Sequence, residues 1–285
     1  MTPRPALRSV PLTARWRYAL SASLLLAGHF ATAATGLPLP SFQHPDFAGS
    51  ANCAACHTGL VDAARQDVSI DTHWRSTMMG NSGRDPLWQA KVASETRRNP
   101  ALKSVIENKC ATCHLPMART QAATLGSPVA IHGDGFLNPA NGYHTAAVDG
   151  VSCSLCHQIR ADGLGLPASF SGQYRIDTST EPPLRVIYGQ YPNPFPNQMQ
   201  NNLGFTPVQG AHVSGSALCG TCHNLRTPYV DAAGQIRGEF PEQMIYSEWE
   251  HSAFNATGPA ARSCQQCHMP AASGGVVLSN RGGPG

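Results

Sequence analysis

The sequence predicts a mainly α-helical protein with extensive irregular loops and little sheet. Helix-start signals recur along the chain, whereas segments that alternate apolar and polar residues are few. The 285 residues also include 23 prolines and 27 glycines, which interrupt regular elements and favour loops. Side chains alone would then form a weak core for a chain of this length, and we expect something else to supply apolar volume.

Two consecutive helices are predicted ahead of the middle of the chain. The pair Asp85-Pro86 is typical of an N-cap followed by a first-turn proline and predicts a helix to about Arg98. Asn99-Pro100 repeats this pattern and predicts a second helix over residues 101–110. The apolar positions of this second helix recur every four residues and include Cys110, which places Cys110 on its predicted apolar face.

Sheet is predicted only near the middle of the chain. Residues 169–176 and 184–188 have the best strand signals, and we expect them to pair as a small hairpin. The segment 182–210 is rich in proline and asparagine and shows no helical period, which predicts a loop.

The first 33 residues have the features of a secretion signal. Four arginines without an acidic residue, Arg4, Arg8, Arg15 and Arg17, precede an apolar run over residues 19–30. Ala31-Thr32-Ala33 then offers small residues at both critical positions of a cleavage site. Because the apolar run is shorter than the roughly 20 residues that span a membrane, cleavage is favoured over an uncleaved anchor. We expect residues 1–33 to direct export to the periplasm by the general secretion route, and residues 34–285 to form the mature domain.

Removal of the signal changes the net charge. The whole chain has 20 Lys+Arg and 17 Asp+Glu, and loss of the four signal arginines leaves 16 against 17, a net charge of −1. The remaining basic residues are not clustered, which argues against nucleic-acid binding. No other apolar run approaches the length of a membrane span, so we expect none after signal removal.

All ten cysteines fall into five copies of Cys-x-x-Cys-His, and none is left over. In chain order, motifs 1 to 5 are Cys53-Ala-Ala-Cys56-His57, Cys110-Ala-Thr-Cys113-His114, Cys153-Ser-Leu-Cys156-His157, Cys219-Gly-Thr-Cys222-His223 and Cys264-Gln-Gln-Cys267-His268. Two thiols three positions apart on one helical turn reach the two vinyl groups of one porphyrin, and the next residue directs its imidazole at the iron. The pattern is the signature of c-type haem attachment and predicts five covalently bound haems.

Zinc sites and disulfides also use cysteine pairs, and exported proteins often contain disulfides. Neither alternative requires a histidine directly after each pair. Histidine occupies 12 of the 285 positions, so five such coincidences have a probability on the order of one in ten million, and haem is favoured. Haem would supply the missing apolar volume, which refines the fold prediction to a haem-packed multihaem cytochrome c. The loop predicted over 182–210 would then wrap around haem surface.

Six histidines lie outside the motifs after the signal, one more than five irons need as second ligands. They are His44, His73, His132, His144, His212 and His251. A second histidine at each iron gives saturated haems suited to electron transfer, whereas an open position permits chemistry on a small molecule. Any one of them is also open to a simpler interpretation, as a surface residue or a partner of a haem propionate. Met117 and Met269 are alternative ligands, but we expect them to pack against porphyrin.

Two of these histidines lie in segments typical of short helices. The segments are 71–79, which holds His73 and a predicted cap at Asp71, and 246–254, which holds His251 and a predicted cap at Ser247. Each also contains a tryptophan close to the histidine. We expect both histidines to be distal ligands. The next candidates are His212 and His144, which shortly precede motifs 4 and 3, followed by His132 and His44.

These residues resemble the multihaem cytochromes grouped around cytochrome c-554 and, more distantly, hydroxylamine oxidoreductase. The resemblance covers roughly residues 50–270 and rests on the five motifs, on His73-Trp74-x-Ser76, on Gly150-Val-Ser-Cys153, on Glu248-Trp249 with Ser252, and on Met269-Pro270 after motif 5. It implies stacked haems, mostly helical connections and service as a periplasmic electron carrier. Larger similar proteins continue past their last motif with a further histidine-containing segment, so a C-terminal truncation of this chain is also an expectation.

Three functions remain open. The first is electron transfer between redox partner proteins, from a quinol-linked or periplasmic donor to an acceptor. The second is a haem enzyme that acts on a small nitrogen or sulfur compound at one open-coordination haem, with Asp134, Tyr143 or His144 as candidate proton donors. The third is a structural or docking subunit of a larger respiratory complex. The sixth free histidine favours the first function, as does the lack of the Cys-x-x-Cys-Lys motif that similar proteins use in nitrite reduction.

Overall fold

In the computed structural model, which describes residues 38–231, 233–269 and 271–280, short helices joined by turns and irregular loops dominate. The helices are α1 (Ser50–His57), α2 (Ile70–Arg75), α3 (Pro86–Arg98), α4 (Lys103–His114), α5 (Pro116–Thr124), α6 (His144–Val148), α7 (Cys153–Cys156), α8 (Asn197–Leu203), α9 (Ser216–Gly220), α10 (Ile245–Glu250) and α11 (Cys264–His268). The strands are β1 (Arg185–Gly189), β2 (Phe205–Gln209), β3 (Leu225–Val230) and β4 (Ile236–Gln243).

The prediction of a mainly helical protein with little sheet is confirmed. Single 3-10 turns add Pro100–Leu102, Pro167–Ser169 and Ala211–Ser214. From Leu39 onward the chain forms one compact unit. None of the described helices combines the length and the apolar character needed to cross a membrane. The expected signal over residues 1–33 lies outside the described residues.

The start of α3 is confirmed in detail. The Asp85 side chain accepts a hydrogen bond from the Leu87 backbone N–H at 2.9 Å, and Pro86 occupies the first helical position. This cap satisfies one of the backbone N–H groups that every helix leaves free at its start. The helix ends at Arg98, as predicted.

The second predicted helix differs from the expectation. The Asn99 side-chain amide donates to the Glu95 carbonyl at 3.2 Å, and the Asn99 side chain does not cap the helix that follows. A 3-10 turn comes first, and α4 begins only at Lys103. The helix then continues to His114 and includes motif 2.

The predicted apolar face of α4 is confirmed only in part: Cys110 packs against the main core but is half-buried, and the fully buried positions are different ones. The buried positions are Glu107, Ala111 and Thr112. Glu107 tolerates burial because one of its carboxylate oxygens accepts the backbone N–H of His132 at 3.2 Å.

The predicted hairpin is also wrong. Residues 169–176 form no strand, and β1, which matches the second predicted strand, pairs in parallel with β2 in the register Arg185↔Phe205. A parallel pair requires a crossover, and α8 provides it. The segment 182–210 is therefore a β-α-β unit rather than a loop. Gly204, with φ of 73°, ends α8 in the left-handed conformation that favours glycine.

A second two-stranded sheet, β3 and β4, is antiparallel and was not predicted. Its register runs from Leu225↔Gln243 to Val230↔Ile236, with irregularities near both ends.

The main hydrophobic core lies under motifs 2 and 3. Its buried members are Phe47, Trp88, Val92, Ala111, Leu115, Met117, Ala118, Ala122, Ile131, Phe136, Ala146, Ala147 and Leu155. A smaller cluster joins Ala48 to Ile187 and Phe205 of the parallel sheet. Among the described residues after 210, Tyr246 is the only apolar side chain that is buried. The part of the chain that carries motifs 4 and 5 thus has almost no core of its own.

A buried ion pair ties the parallel sheet to the N-terminal part of the fold. Arg185 and Asp46 are each 2% exposed, and their guanidinium and carboxylate lie 3.0 Å apart. Gln121 donates to the same carboxylate at 3.0 Å, and the Asp177 carbonyl accepts from Arg185 at 2.9 Å. Burial raises the pKa of Asp46, an effect that the positive charge of Arg185 opposes.

Candidate haem-attachment sites

Each of the five motifs occupies a short helix or the turn that ends one. Motif 1 ends α1, motif 2 ends α4, motif 3 forms α7, motif 4 begins in α9, and motif 5 forms α11. In motif 4 the second cysteine lies just past the helix, but the backbone N–H groups of Cys222 and His223 both bond to the Cys219 carbonyl, so the turn continues. Cysteines three positions apart therefore lie on one side of the backbone in every motif.

The motifs pack against one another in an order that differs from their order in the chain. Helix α1 contacts α7, and the Cys53 thiol lies next to that of Cys153, which raises the pKa of Cys53. Motif 2 meets motif 4 in the same way: the Cys113 thiol lies next to that of Cys222, which raises the pKa of Cys113. Motifs 1 and 3 thus form one pair, and motifs 2 and 4 another.

Motif 4 also contacts the remaining motifs. Helix α9 packs on α11, the Cys264 backbone N–H donates to the Ser216 hydroxyl at 3.0 Å, and the Cys219 and Cys264 thiols lie next to each other. Cys156 of motif 3 lies close enough for the charges of Cys222 and Cys219 to raise its pKa, after burial as the main cause. The five motifs therefore form a continuous series, 1–3–4, with motifs 2 and 5 both attached to motif 4.

Five of the ten thiols have a raised pKa, which disfavours redox or nucleophilic chemistry at these positions. None of the ten is in a disulfide. Burial raises the pKa of Cys110 to about 11, and burial is also the main cause that raises the pKa of Cys156 and of Cys219 to about 12. Reactive cysteines instead have lowered pKa values. The pKa is lowered at Cys153 and Cys222, but the first cause is a thiol of another motif, Cys53 or Cys113, and not the partner in the same pair. Thioredoxin-like exchange within one Cys-x-x-Cys pair is therefore disfavoured.

Two motif histidines are oriented through Nδ1. The Nδ1 atom of His57 lies 2.8 Å from the Leu278 carbonyl, and that of His157 lies 2.6 Å from the Tyr188 carbonyl in β1. Tyr188 also donates its backbone N–H to the His157 carbonyl at 2.6 Å, so β1 holds this residue at two points. An Nδ1–H bonded to a carbonyl leaves Nε2 as the free donor atom, the usual arrangement of a metal-bound imidazole.

The C-terminal segment takes part in motif 1. Besides the Leu278 contact, Asn280 donates its backbone N–H to the Cys56 carbonyl at 2.8 Å and its side-chain amide to the Thr58 carbonyl at 2.9 Å. Contacts across more than 220 positions leave no local pattern, so the sequence alone did not predict them.

The other motif histidines have different surroundings. His114 stacks on Trp88, with ring centroids 4.5 Å apart and planes 10° from parallel. His223 lies 3.4 Å from the Gln243 amide of β4 through Nδ1, and His268 is exposed. Burial lowers the pKa of His114 and His223, which favours the neutral imidazole that a metal binds.

Two histidines outside the motifs have a buried nitrogen without a partner. The Nε2 atoms of His44 and His132 are inaccessible to solvent and make no hydrogen bond. Burial lowers the pKa of His44, and the Asp46 charge opposes this only in part. A buried nitrogen without a hydrogen bond lowers the stability of the fold. Both atoms therefore fit a role as ligands to a bound metal or cofactor.

Two further candidates are anchored through Nδ1. The Nδ1 atom of His144 lies 3.0 Å from the Phe136 carbonyl, and that of His251 lies 2.7 Å from the Ser247 carbonyl. Both rings therefore leave Nε2 available. The predicted cap at Ser247 is wrong, because this residue lies inside α10, which begins at Ile245 and ends at Glu250, just before His251.

The last two candidates are less suited to ligation through Nε2. His212 already uses Nε2 in a contact of 2.8 Å with the Ile159 carbonyl, and its ring stands edge-on to Tyr188. His73 is exposed. The predicted cap of its helix at Asp71 is also wrong, because Asp71 lies in the first turn of α2 and forms an ion pair with Arg75 at 2.5 Å.

The two methionines behind motifs 2 and 5 differ. Met117 is buried in the main core, where its sulfur accepts the Ser154 hydroxyl at 3.4 Å. Met269 is 55% exposed. Of the suggested proton donors besides His144, Asp134 is an exposed loop residue, and the Tyr143 hydroxyl lies 3.0 Å from that of Ser127.

A tryptophan contact repeats at the entrance to two motifs. The indole N–H of Trp74 donates to the Val151 carbonyl at 3.0 Å, and that of Trp249 donates to the Arg262 carbonyl at 2.8 Å. Each carbonyl lies two residues before the first cysteine of a motif, Cys153 or Cys264. The sequence shows both tryptophans close to candidate ligands. Only the fold shows that each bonds a carbonyl at the same position relative to a motif.

A buried carboxylate, which sequence reasoning did not single out, holds the start of α1. Asp149 is fully buried and accepts the Ser50 backbone N–H at 2.9 Å and the Ser50 hydroxyl at 2.5 Å. Burial raises the pKa of Asp149 to about 6, although the hydrogen bonds from Ser50 lower it. This residue fixes motif 1 against the turn that leads into motif 3.

Within the described ranges, no group of three or more His, Cys, Asp or Glu side chains is placed to hold a metal ion by itself. Comparisons with protein-family models, curated proteins and solved structures gave no match.

Proposed function

We propose that the protein is an exported c-type cytochrome that binds five haems covalently and transfers electrons between redox partners. The observation that carries this proposal is the continuous packing of the five motifs, each with two thiols and an imidazole on one helical turn. Haem, when bound, would supply reversible one-electron chemistry at each motif. Neighbouring motifs in contact would keep successive redox groups close together.

The chain's own residues would hold and orient the iron ligands. The ten motif cysteines would form the thioether links, and His57, His114, His157, His223 and His268 would be the proximal ligands. His44, His132, His144 and His251 fit the distal role, because their Nε2 atoms are either buried without a partner or left free by an Nδ1 anchor. This ranking places His44 and His132 ahead of His73 and His212, unlike the ranking from sequence.

The expected partners are a quinol-linked or periplasmic electron donor and an acceptor protein. Their recognition would depend on charge, since the chain after the expected signal has a net charge of −1 before haem propionates are counted. The resemblance to the cytochrome c-554 group supports the same role. Export to the periplasm would supply the compartment in which such carriers work.

A second candidate function is suggested by His212. Its Nε2 atom is engaged by the Ile159 carbonyl, and no hydrogen bond to a described residue orients the His73 ring, so four of the six histidines are well arranged for five irons. One haem would then keep an open position, at which a small nitrogen or sulfur compound binds and reacts. The sequence features that favour a carrier, above all the lack of a lysine variant of the motif, argue against this candidate.

The first experiment is to purify the exported protein from a host that attaches c-type haem. The haem-to-protein ratio should be five, and mutation of any one Cys-x-x-Cys pair to Ala-x-x-Ala should lower it to four. A ratio of zero with intact, secreted protein would overturn the proposal.

Low-temperature EPR and optical spectra with and without carbon monoxide then separate the two functions. Spectra that are low-spin at every haem and unaffected by carbon monoxide support the carrier. A high-spin haem that binds carbon monoxide supports the enzyme, and His212→Ala should then leave the spectra unchanged, because His212 would not be a ligand.

A further inference from the structure

An open cavity of about 630 Å³ lies between α5 and the irregular segment 160–178. Three arginines line it, Arg119, Arg160 and Arg175, together with one carboxylate, Asp162. None of the ten cysteines and none of the described histidines is among its lining residues. The cavity adjoins motif 2 through Thr112, but its lining includes no thiol and no described imidazole.

The positive charge in this cavity exceeds the negative charge. Arg160 and Asp162 form an ion pair at 2.8 Å, but both side chains are about half exposed, so the pair is weak. Arg119 donates to the neutral amide oxygen of Asn108 at 3.0 Å, and the Arg175 guanidinium has no ion-pair partner among the described residues. Two guanidinium groups are thus left without a carboxylate on one concave surface, where the field of like charges is focused.

The rest of the cavity lining includes neutral hydroxyl groups and one residue of motif 2. The Tyr174 hydroxyl donates to the Thr112 carbonyl at 3.2 Å and lies 3.2 Å from the Thr120 hydroxyl. Burial raises the pKa of Tyr174, so this phenol stays protonated. Thr112 lies between the two cysteines of motif 2, and an occupant of the cavity would therefore lie beside the helix that carries this motif.

We propose that this cavity binds the carboxylate or other oxyanion groups of a ligand. Guanidinium groups match planar carboxylates through paired hydrogen bonds, and the volume exceeds what a single inorganic anion fills. The oxyanions have two possible sources. One is the propionates of a haem attached to a neighbouring motif, a version that rests on the proposed function. The other is a free polycarboxylate, which does not.

The test uses the double variant Arg160→Gln/Arg175→Gln in the purified, haem-loaded protein. Both arginines are exposed, so the fold should persist, whereas Arg119 packs on α4 and is left intact. Arg97→Gln removes an exposed arginine of α3 outside the cavity and is the matched control. Citrate is titrated by calorimetry, and the reduction potentials are measured by optical redox titration.

A free ligand site predicts that citrate binds the wild-type protein and that the double variant binds it at least about tenfold more weakly, while the control is unchanged. Occupation by propionates predicts no citrate binding but a lower potential for one haem in the double variant, because loss of positive charge disfavours electron uptake. Absence of citrate binding together with unchanged potentials overturns the proposal. If the purified protein carries no haem, the proposed function fails, but the citrate titration still tests whether the cavity binds oxyanion groups.

Discussion

The two parts of the chain that carry the motifs are stabilised in different ways. Motifs 2 and 3 rest on a hydrophobic core, in which Ala111 and Leu155, from the motif helices themselves, are almost inaccessible. Motifs 4 and 5 lie in residues 211–280, where Tyr246 is the only buried apolar side chain among the described residues and α11 buries none of its own. Since one part has a protein core and the other does not, bound haem should matter most for folding in the second.

The largest expected effect is on the haem-free protein. When residues 34–285 are produced without haem attachment, we expect residues 211–280 to lose protection from amide hydrogen exchange by about a hundredfold or more relative to the haem-loaded form. Residues 103–160 should keep most of their protection, because their apolar side chains are buried by one another. Hydrogen-exchange mass spectrometry measures both regions in one experiment.

Single-motif variants serve as the control for this comparison. Cys264→Ala/Cys267→Ala should loosen residues 211–280, whereas Cys110→Ala/Cys113→Ala should leave the main core protected. Equal loss of protection in both regions would show that the core does not stabilise its motifs independently.

The next effect compares two phenylalanines. Phe136 is 1% exposed in the main core, and Phe136→Ala should lower the free energy of unfolding by about 3–5 kcal/mol, because it removes buried area and leaves a cavity. Phe240 in β4 is 60% exposed, and Phe240→Ala should change stability by only about 0.5 kcal/mol or less. Urea unfolding followed by circular dichroism compares them, and a similar cost for both would contradict the assignment of a core to one part alone.

Local signals explain which elements could be predicted from the sequence. The start of α3 depends on Asp85 and Pro86, which are its immediate neighbours, and it is confirmed. The motif turns likewise depend on residues within the motifs. The caps at Asp71 and Ser247 fail by a few residues, because a charged partner such as Arg75 can hold Asp71 inside the helix instead.

The remaining features depend on contacts between distant residues. Parallel pairing of β1 with β2 requires α8 to cross over, and the buried side of α4 is decided by what packs on it, including the His132 backbone against Glu107. For the candidate sites, the sequence predicts the five motifs but not which ring nitrogen of each candidate distal histidine is free. Whether Nδ1 or Nε2 of a ring is engaged depends on carbonyls such as Ile159, 53 residues from His212.

The third effect is a pH dependence that belongs to the core-rich part. Because Asp149 has a folded-state pKa of about 6 against an ordinary 3.8, the folded protein holds this proton more tightly than the unfolded chain. The stabilisation that this proton gives to the folded state is fully present below pH 3.8 and is lost as the pH rises through about 6. The free energy of unfolding falls by about 3 kcal/mol over this range. Asp149→Asn should remove this slope from the plot of unfolding free energy against pH.

The control for this prediction is Asp162→Asn, which changes an exposed carboxylate. Urea unfolding between pH 4 and 7 should give the wild-type slope for the control and a flatter one for Asp149→Asn. Equal slopes for the two variants would mean that Asp149 is not the group responsible.

The smallest effect compares the same hydrogen bond in the two parts. Trp74→Phe and Trp249→Phe each remove one indole N–H from a carbonyl that lies two residues before a motif, at a cost of about 1 kcal/mol. Next to motif 3 the core should hold the backbone in place, so exchange of the amides near Val151 should rise little.

Next to motif 5 only local contacts oppose opening, among them the capping box of Ser263 and Gln266. The same change should therefore increase exchange near Arg262 by about fivefold, the factor that 1 kcal/mol of local opening gives. A larger increase at Val151 than at Arg262 would reverse the order and show that the core does not reach the backbone that leads into motif 3.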